Sequence, residues 1–526
     1  MKKSLTQFFA LVFAMSLLTN CIREKPYDLI IRNGKIYDGT GAEAFEADIA
    51  INGDQIIKIG DLQNSKAAKQ IDAQNLAVAP GFIDLHAHIE PLLTLPGCES
   101  LIRQGVTTAL GGPDGSGPWP LGDYLDTLET VGIGMNVAFL VGHNTVRKHV
   151  MSLDQRAPTA DELAQMKQQI EQGMKEGAFG ISTGLKYLPG AFSEVDEVIA
   201  LSKVASAYGG FYTSHLREEG LGLIDAVREA ILIGREADIP IVLTHHKVIG
   251  KPMWGKSVKT LALVDSARNL GLDVMMDQYP YDASYTSLSI ILPAWARAGG
   301  EEAFRERTRN PKLRDSIRSG TIFNILNDRG GADLRRVQFA KVDWMPALEG
   351  KTLHDWAISK NMEPTVENGA DLVIEAQLNG GARCIFHVMD ENDVERIMQH
   401  PQTMIASDGR LVAPGMGHPH PRWYGTFPRV LGHYVREKKI ITLPAAIHKM
   451  TGMPAKRLGL ADRGTIAEGM KADMVVFDPE KVIDKATFEN PHQYPEGIDY
   501  VLVNGVLAVD KGKFKDHRSG NVLKKN

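Results

Sequence analysis

The sequence predicts an α/β fold: a TIM-like (β/α)8 barrel joined to a small β-sandwich domain built from both chain ends. Three observations carry that expectation. Between residues 80 and 463 short apolar runs such as GVTTALGG, FGISTGL, GGFYTSH, IPIVLTHHK and TMIASDG alternate with amphipathic stretches such as ADELAQMKQQIEQGMKEG and GLIDAVREAILIGREA. That alternation is the pattern of strands crossing to helices, for which a doubly wound open sheet is the alternative to a barrel. Residues 27–79 and 464–526 instead read as short strands and turns, each segment too small for its own core, so the two are expected to pair. Finally, the chemically interesting side chains come just after the apolar runs, on the face where a barrel builds its site.

Taken in order, residues 1–21 read as a targeting segment: Lys2 and Lys3 precede an apolar run ending at Cys21. The motif Leu18-Thr19-Asn20-Cys21 resembles a bacterial lipoprotein signal. It implies lipidation at Cys21, a membrane partner through that anchor, and a place in the bacterial cell envelope, on the periplasmic side or the cell surface. In the next segment Asn33-Gly34, Thr40-Gly41 and Asn52-Gly53 suit tight connections between strands. The strand–helix rhythm weakens over residues 288–383, where WARAGGEEAFRERTRNPKLRDSIRSG is charged and helix-prone, so an insertion or lid within the barrel is expected there. A net charge of -5 gives no support for a nucleic-acid partner. Cys98 and Cys384, widely separated, make no disulfide scaffold, so the fold must rest on its core.

The chemistry begins at His86-Ala87-His88, directly after VAPGFIDL. A period of two sends both imidazoles to one side of an extended chain. His215 follows GGFYTS, His245 follows IPIVLT and Asp408 follows TMIAS. A barrel gathers such strand ends, and imidazole with carboxylate suits zinc or another divalent transition metal.

The motifs PGFIDLHAHIE, QGVTTALGG, VGHNTVR, GISTGLKYLPG, YTSHLREEG, LTHHKVIG, DQYPYDAS, ASDGR and GHPHPRWYGTFPRVLG run in order along nearly the whole chain. In them the sequence is similar to the D-aminoacylase family, the N-acyl-D-amino-acid deacylases, of the metal-dependent amidohydrolase superfamily. The resemblance implies hydrolysis of the amide of an N-acyl-D-amino acid or peptide to a carboxylate and a free D-amino acid. A related activity on dipeptides or cyclic amides is the alternative. It implies His215 and His245 as ligands of the tighter metal, His86 and His88 as ligands of a second, and Asp408 as the acid/base that takes a proton from water and returns it to the leaving nitrogen.

One departure stands out. Where the family commonly has Gly-Asn-Cys-Gly, with a ligating cysteine, this chain has Gly112-Pro113-Asp114-Gly115. Asp114 is expected to take over as a harder oxygen ligand bridging two metals, admitting Mn²⁺ or Fe²⁺ alongside one or two Zn²⁺ ions. Lys186 is a second candidate bridge, as a carboxylated lysine, or else a lysine solvated in its loop. On the substrate side the resemblance points to Tyr187, Tyr281 and Ser284, with His143 and Arg410 on the same face. Arg217 and Lys247 are the leading candidates to receive a substrate carboxylate.

Overall fold

The computed structural model describes residues 26–329 and 331–525. Eight parallel strands form the middle of the chain: β1 (Phe82–Asp84), β2 (Val106–Gly111), β3 in two segments (Asn136–Phe139 and Val141–Gly142), β4 (Gly180–Gly184), β5 (Phe211–His215), β6 (Ile241–Leu243), β7 (Val274–Gln278) and β8 (Thr403–Ile405). Each pairs with the next in sequence, except that the two segments of β3 divide the ladder, one pairing with β2 and the other with β4. The ring closes between β8 and β1 through a side chain. Buried Asp84 accepts hydrogen bonds from the Ser407 amide at 2.9 Å, the Ser407 hydroxyl, and the His86 amide at 3.2 Å. Just beyond, Gly409-Arg410 pairs in parallel with Ala87-His88.

The helices outside this ring follow from their apolar spacing. Ala160–Lys175 turns Met166, Ile170 and Met174 inward and starts with a capping box between Thr159 and Glu162. Such a cap contributes about 1 kcal/mol. Emptying the inward face costs more: Ile170→Ala would remove about 2–5 kcal/mol.

The paired chain ends form one continuous nine-stranded sheet, and Leu29, Ile49, Val78, Met474 and Leu502 from both ends share one core. Asn52-Gly53 makes the expected hairpin between Phe45–Asn52 and Gln55–Gly60. Asn33-Gly34 does not turn the chain. Strand Tyr27–Ile36 runs through it with a register shift between Ile31 and Gly34, and Asn33 sits at φ 56°. The left-handed residue is absorbed as a bulge because the strand is paired on both flanks. After Phe514 the chain leaves the sheet and runs beneath the barrel, where Leu523 donates to the Val137 carbonyl.

Between β7 and β8 the chain builds a three-stranded antiparallel sheet (Ser284–Ser287, Arg383–Phe386, Val337–Lys341) covered by helices that include Pro311–Asn327 and Val366–Leu378. Trp356, Phe339 and Phe386 fill a core separate from that of the barrel.

The expectations of a lipoprotein, a membrane partner and an envelope location on the periplasmic side or cell surface are corrected. Among the described residues no helix is long and apolar enough to cross a membrane. The leader and Cys21, on which those expectations rested, lie outside the described residues.

Candidate metal centre and active site

The strand ends converge on Asp114. After β2 the chain turns through Gly112 and Gly115, both at positive φ, with Asp114 itself at φ 55°. Close approach enforces these glycines: a Cβ on Gly112 would stand 2.6 Å from the Leu140 carbonyl oxygen, and one on Gly115 2.7 Å from the Gly184 amide. The turn delivers one carboxylate to two sets of imidazoles. Asp114 Oδ1 lies 3.6 Å from His86 Nε2, 3.3 Å from His245 Nε2 and 3.9 Å from His215 Nδ1, while its Oδ2 lies 3.6 Å from His88 Nε2. Asp408 Oδ1 is 3.6 Å from His86 Nε2 and 3.4 Å from His88 Nε2.

These distances define two donor groups sharing Asp114: His86, His88, Asp114 and Asp408, and Asp114, His215 and His245. Within each group the ligand atoms lie within 4.8 Å of one another. His86 Nε2 and Asp114 Oδ1 are buried and have no hydrogen-bond partner. Leaving such atoms unsatisfied is costly, and a cation between them removes the cost. Neutral imidazole nitrogens and carboxylate oxygens fit zinc, with manganese or iron(II) as harder alternatives. The cluster can hold one or two such ions.

The charges fit the same arrangement. Burial pushes the Asp114 carboxyl up, but His86 and His245 outweigh it and hold the group well below the usual carboxylate range. For Asp408 burial is likewise overcome, here by Arg422, whose Nη2 stands 3.0 Å from Oδ2, and by His86. His215 Nδ1 and His245 Nε2 are 2.7 Å apart. Burial drives His215 down to about 3. Burial and Lys247 also act downward on His245, but Asp114 and Glu219 lift it to about 9.

Further residues set the histidines in place. Thr244 Oγ1 lies 2.6 Å from His86 Nδ1 and donates to Asp277 at 2.8 Å, and Asp277 also accepts from the His245 amide at 2.6 Å. Asp277, Glu219 and Arg329 were not singled out from the sequence. Glu219 lies in the loop between the strand that ends at His215 and the helix that begins at Leu223, so no periodicity pointed to it. Arg329, in the region of weakened rhythm, offered no signal either.

A cavity of about 1000 Å³ opens over the cluster, and Tyr187, Lys247, Ser284 and Arg410 line it. The Tyr187 ring packs 4.4 Å from that of His215, and its hydroxyl accepts from Thr286. Lys247 is buried against Glu219 and His245, and Arg410 reaches Glu90 at 3.1 Å. Three candidates stand outside the wall. Arg217 forks onto Glu229 at 2.8–3.1 Å. His143 is buried against Glu197 at 2.8 Å. Tyr281 turns to Asp484 while Tyr279 lines the cavity, because the extended chain ends at Gln278 and strict alternation ends with it. Lys186 Nζ lies 2.7 Å from both oxygens of Glu218 and 3.5 Å from Asp328, so its charge is engaged there and not with the histidines.

Residues 69–280 and 321–509 match the Amidohydrolase family. D-aminoacylase of Alcaligenes xylosoxydans xylosoxydans is 37% identical over 523 residues, 95% of this chain and 98% of that protein. The chain belongs to the D-aminoacylase family of amidohydrolases. The N-acyl-D-glutamate deacylase of the same organism is 36% identical over 96% of this amidohydrolase and 98% of its own length. The crystal structure of N-acyl-D-glutamate deacylase from Bordetella bronchiseptica, complexed with zinc and a phosphonate mimic of the tetrahedral intermediate, superposes with a TM-score of 0.80. That match has 33% identity and covers 95% of this chain and 100% of the other. The protein is thus a metal-dependent amidohydrolase of the barrel type.

Proposed function

We propose that this amidohydrolase hydrolyses the amide bond of N-acyl-D-amino acids, releasing a carboxylate and the free D-amino acid. The observation that carries the reading is the placing of Asp408 within one of two donor groups that share Asp114, 3.6 Å from His86 and 3.4 Å from His88. On this reading His215, His245 and Asp114 hold one ion, and His86, His88, Asp114 and Asp408 face a second. When bound, the metal supplies a lowered pKa for water and polarises the amide carbonyl.

The chain's own groups supply the rest. Asp408, kept ionised by Arg422, accepts the proton of the attacking water at its carboxylate and returns it to the departing nitrogen. The water oxygen joins the acyl carbon as the carbon–nitrogen bond breaks. Arg297 and Arg383 line the cavity with no carboxylate partner among the described residues, which suits a substrate carrying a free acid. Lys247 and Arg217, the cations favoured from sequence, are instead engaged by Glu219 and Glu229.

The test is hydrolysis of N-acetyl-D-amino acids by zinc-loaded protein compared with the L-isomers. Turnover confined to the D-series is expected. Equal turnover of both series, or of neither, would sink the stereospecific reading.

A further inference from the structure

The rings of His215 and His245 each present one nitrogen to Asp114 and the other to a second carboxylate, Glu219. His215 turns Nδ1 toward Asp114 and places Nε2, which is buried and has no hydrogen bond, 3.6 Å from Glu219 Oε2. His245 turns Nε2 toward Asp114 and places Nδ1 3.3 Å from Glu219 Oε1. Glu219 is itself only 3% exposed. Lys247 donates to its Oε1, and Arg329, brought in from the segment between β7 and β8, stands 3.9 Å from its Oε2.

We propose that Glu219 is a positioning residue: a single carboxylate that fixes both histidines in the tautomers a metal requires. An ionised carboxylate only accepts hydrogen bonds, so a ring nitrogen that satisfies it carries its proton on that side. Once an ion displaces the extra proton of the pair, His215 would carry its proton at Nε2 and His245 at Nδ1, leaving the lone pairs of His215 Nδ1 and His245 Nε2 for the metal. Lys247 cannot do this work. Its ammonium, 2.8 Å from His245 Nδ1, has only donors; left alone it would favour the opposite tautomer and turn the proton of His245 toward the metal side. Glu219 and the His245 carbonyl, 3.2 Å away, compete with Nδ1 for the protons of that ammonium. Partners of this kind commonly raise metal affinity by one to two orders of magnitude.

This inference rests on the metal reading of the His215–His245 pair, and its test uses no substrate, so the two can fail separately. Zinc is titrated into full-length protein against a chelator of known affinity, and the histidine ring nitrogens are followed by ¹⁵N NMR. The amide of Glu219→Gln offers one acceptor and one donor, so one ring must lose its acceptor. Zinc affinity should fall about 10–100-fold, and His215 of the zinc-free variant should show mixed tautomers. Glu219→Asp, which keeps both acceptors on a shorter arm, should fall between Glu219→Gln and the unmodified chain. Unchanged zinc affinity in folded Glu219→Gln overturns the proposal. So does an unmodified zinc-loaded chain whose His215 proton resides on Nδ1. An unmodified chain that takes up no zinc overturns both the proposal and the metal reading.

Discussion

The two donor groups that meet at Asp114 differ in how firmly the protein holds them. His215 and His245 have side chains 4% and 2% exposed and back onto Glu219, itself buried among charges. In the other group His86 is fully buried and fixed through Thr244, but His88 is 25% exposed and leans on Glu90, 35% exposed at the cavity mouth. Burial strengthens a polar interaction and restricts its geometry, while solvent weakens both effects. The difference teaches that the inner pair is enclosed on every side, whereas the outer group includes a histidine that still faces solvent.

The largest expected effect would break this comparison if it failed. His215→Ala or His245→Ala should abolish both tightly retained metal and hydrolysis, whereas His88→Ala should keep one ion per chain and part of the activity. Metal analysis after dialysis beside kcat decides it; equal losses at the two sites would erase the distinction. Next, Asp408→Asn should lower kcat about 10²–10⁴-fold while the inner ion stays bound, so a loss of all metal would place Asp408 among the essential ligands instead.

A smaller effect follows from the charge of the inner pair. His245 is lifted to about 9, so below that pH the metal-free pair carries a proton that zinc must displace. Lowering the pH raises the proton's competition, and affinity should fall about tenfold per unit. Chelator titrations across pH 7–9, roughly the window below that value, measure the slope; a flat profile would mean that the pair is already neutral. The smallest expected effect is at Lys186. Its pairing with a Glu218 that is 40% exposed predicts a change in stability within about 1 kcal/mol for Lys186→Ala. Thermal unfolding and metal content should both stay near the parent values.

The same contrast explains what could be read in advance. His86, His88, His215, His245 and Asp408 were legible because each follows an apolar run, and strand direction alone brings those ends together. Asp114 was legible as a departure from a familiar pattern. Arg217 and Tyr281 were misplaced because both lie past their strands, where the side chain's direction depends on the loop. Arg217 comes two residues after the end of β5 and turns to Glu229. Arg329 had no local signal at all: it reaches Glu219 only through the packing of the segment between β7 and β8. The Asn33-Gly34 bulge makes the same point, since a dipeptide suited to a turn yielded to pairing on both flanks of its strand.

The bond from Ser407 to Asp84 spans 323 residues of chain. During synthesis the N-terminal parts emerge first, so a nascent chain that has exposed everything through β7 already owns His86, His88, Asp114, His215 and His245. It lacks Asp408, Arg422 and the strand that shuts the ring. The four histidines and Asp114 are therefore available before Asp408, and the last barrel strand to leave the ribosome both seals the cylinder and completes the cluster.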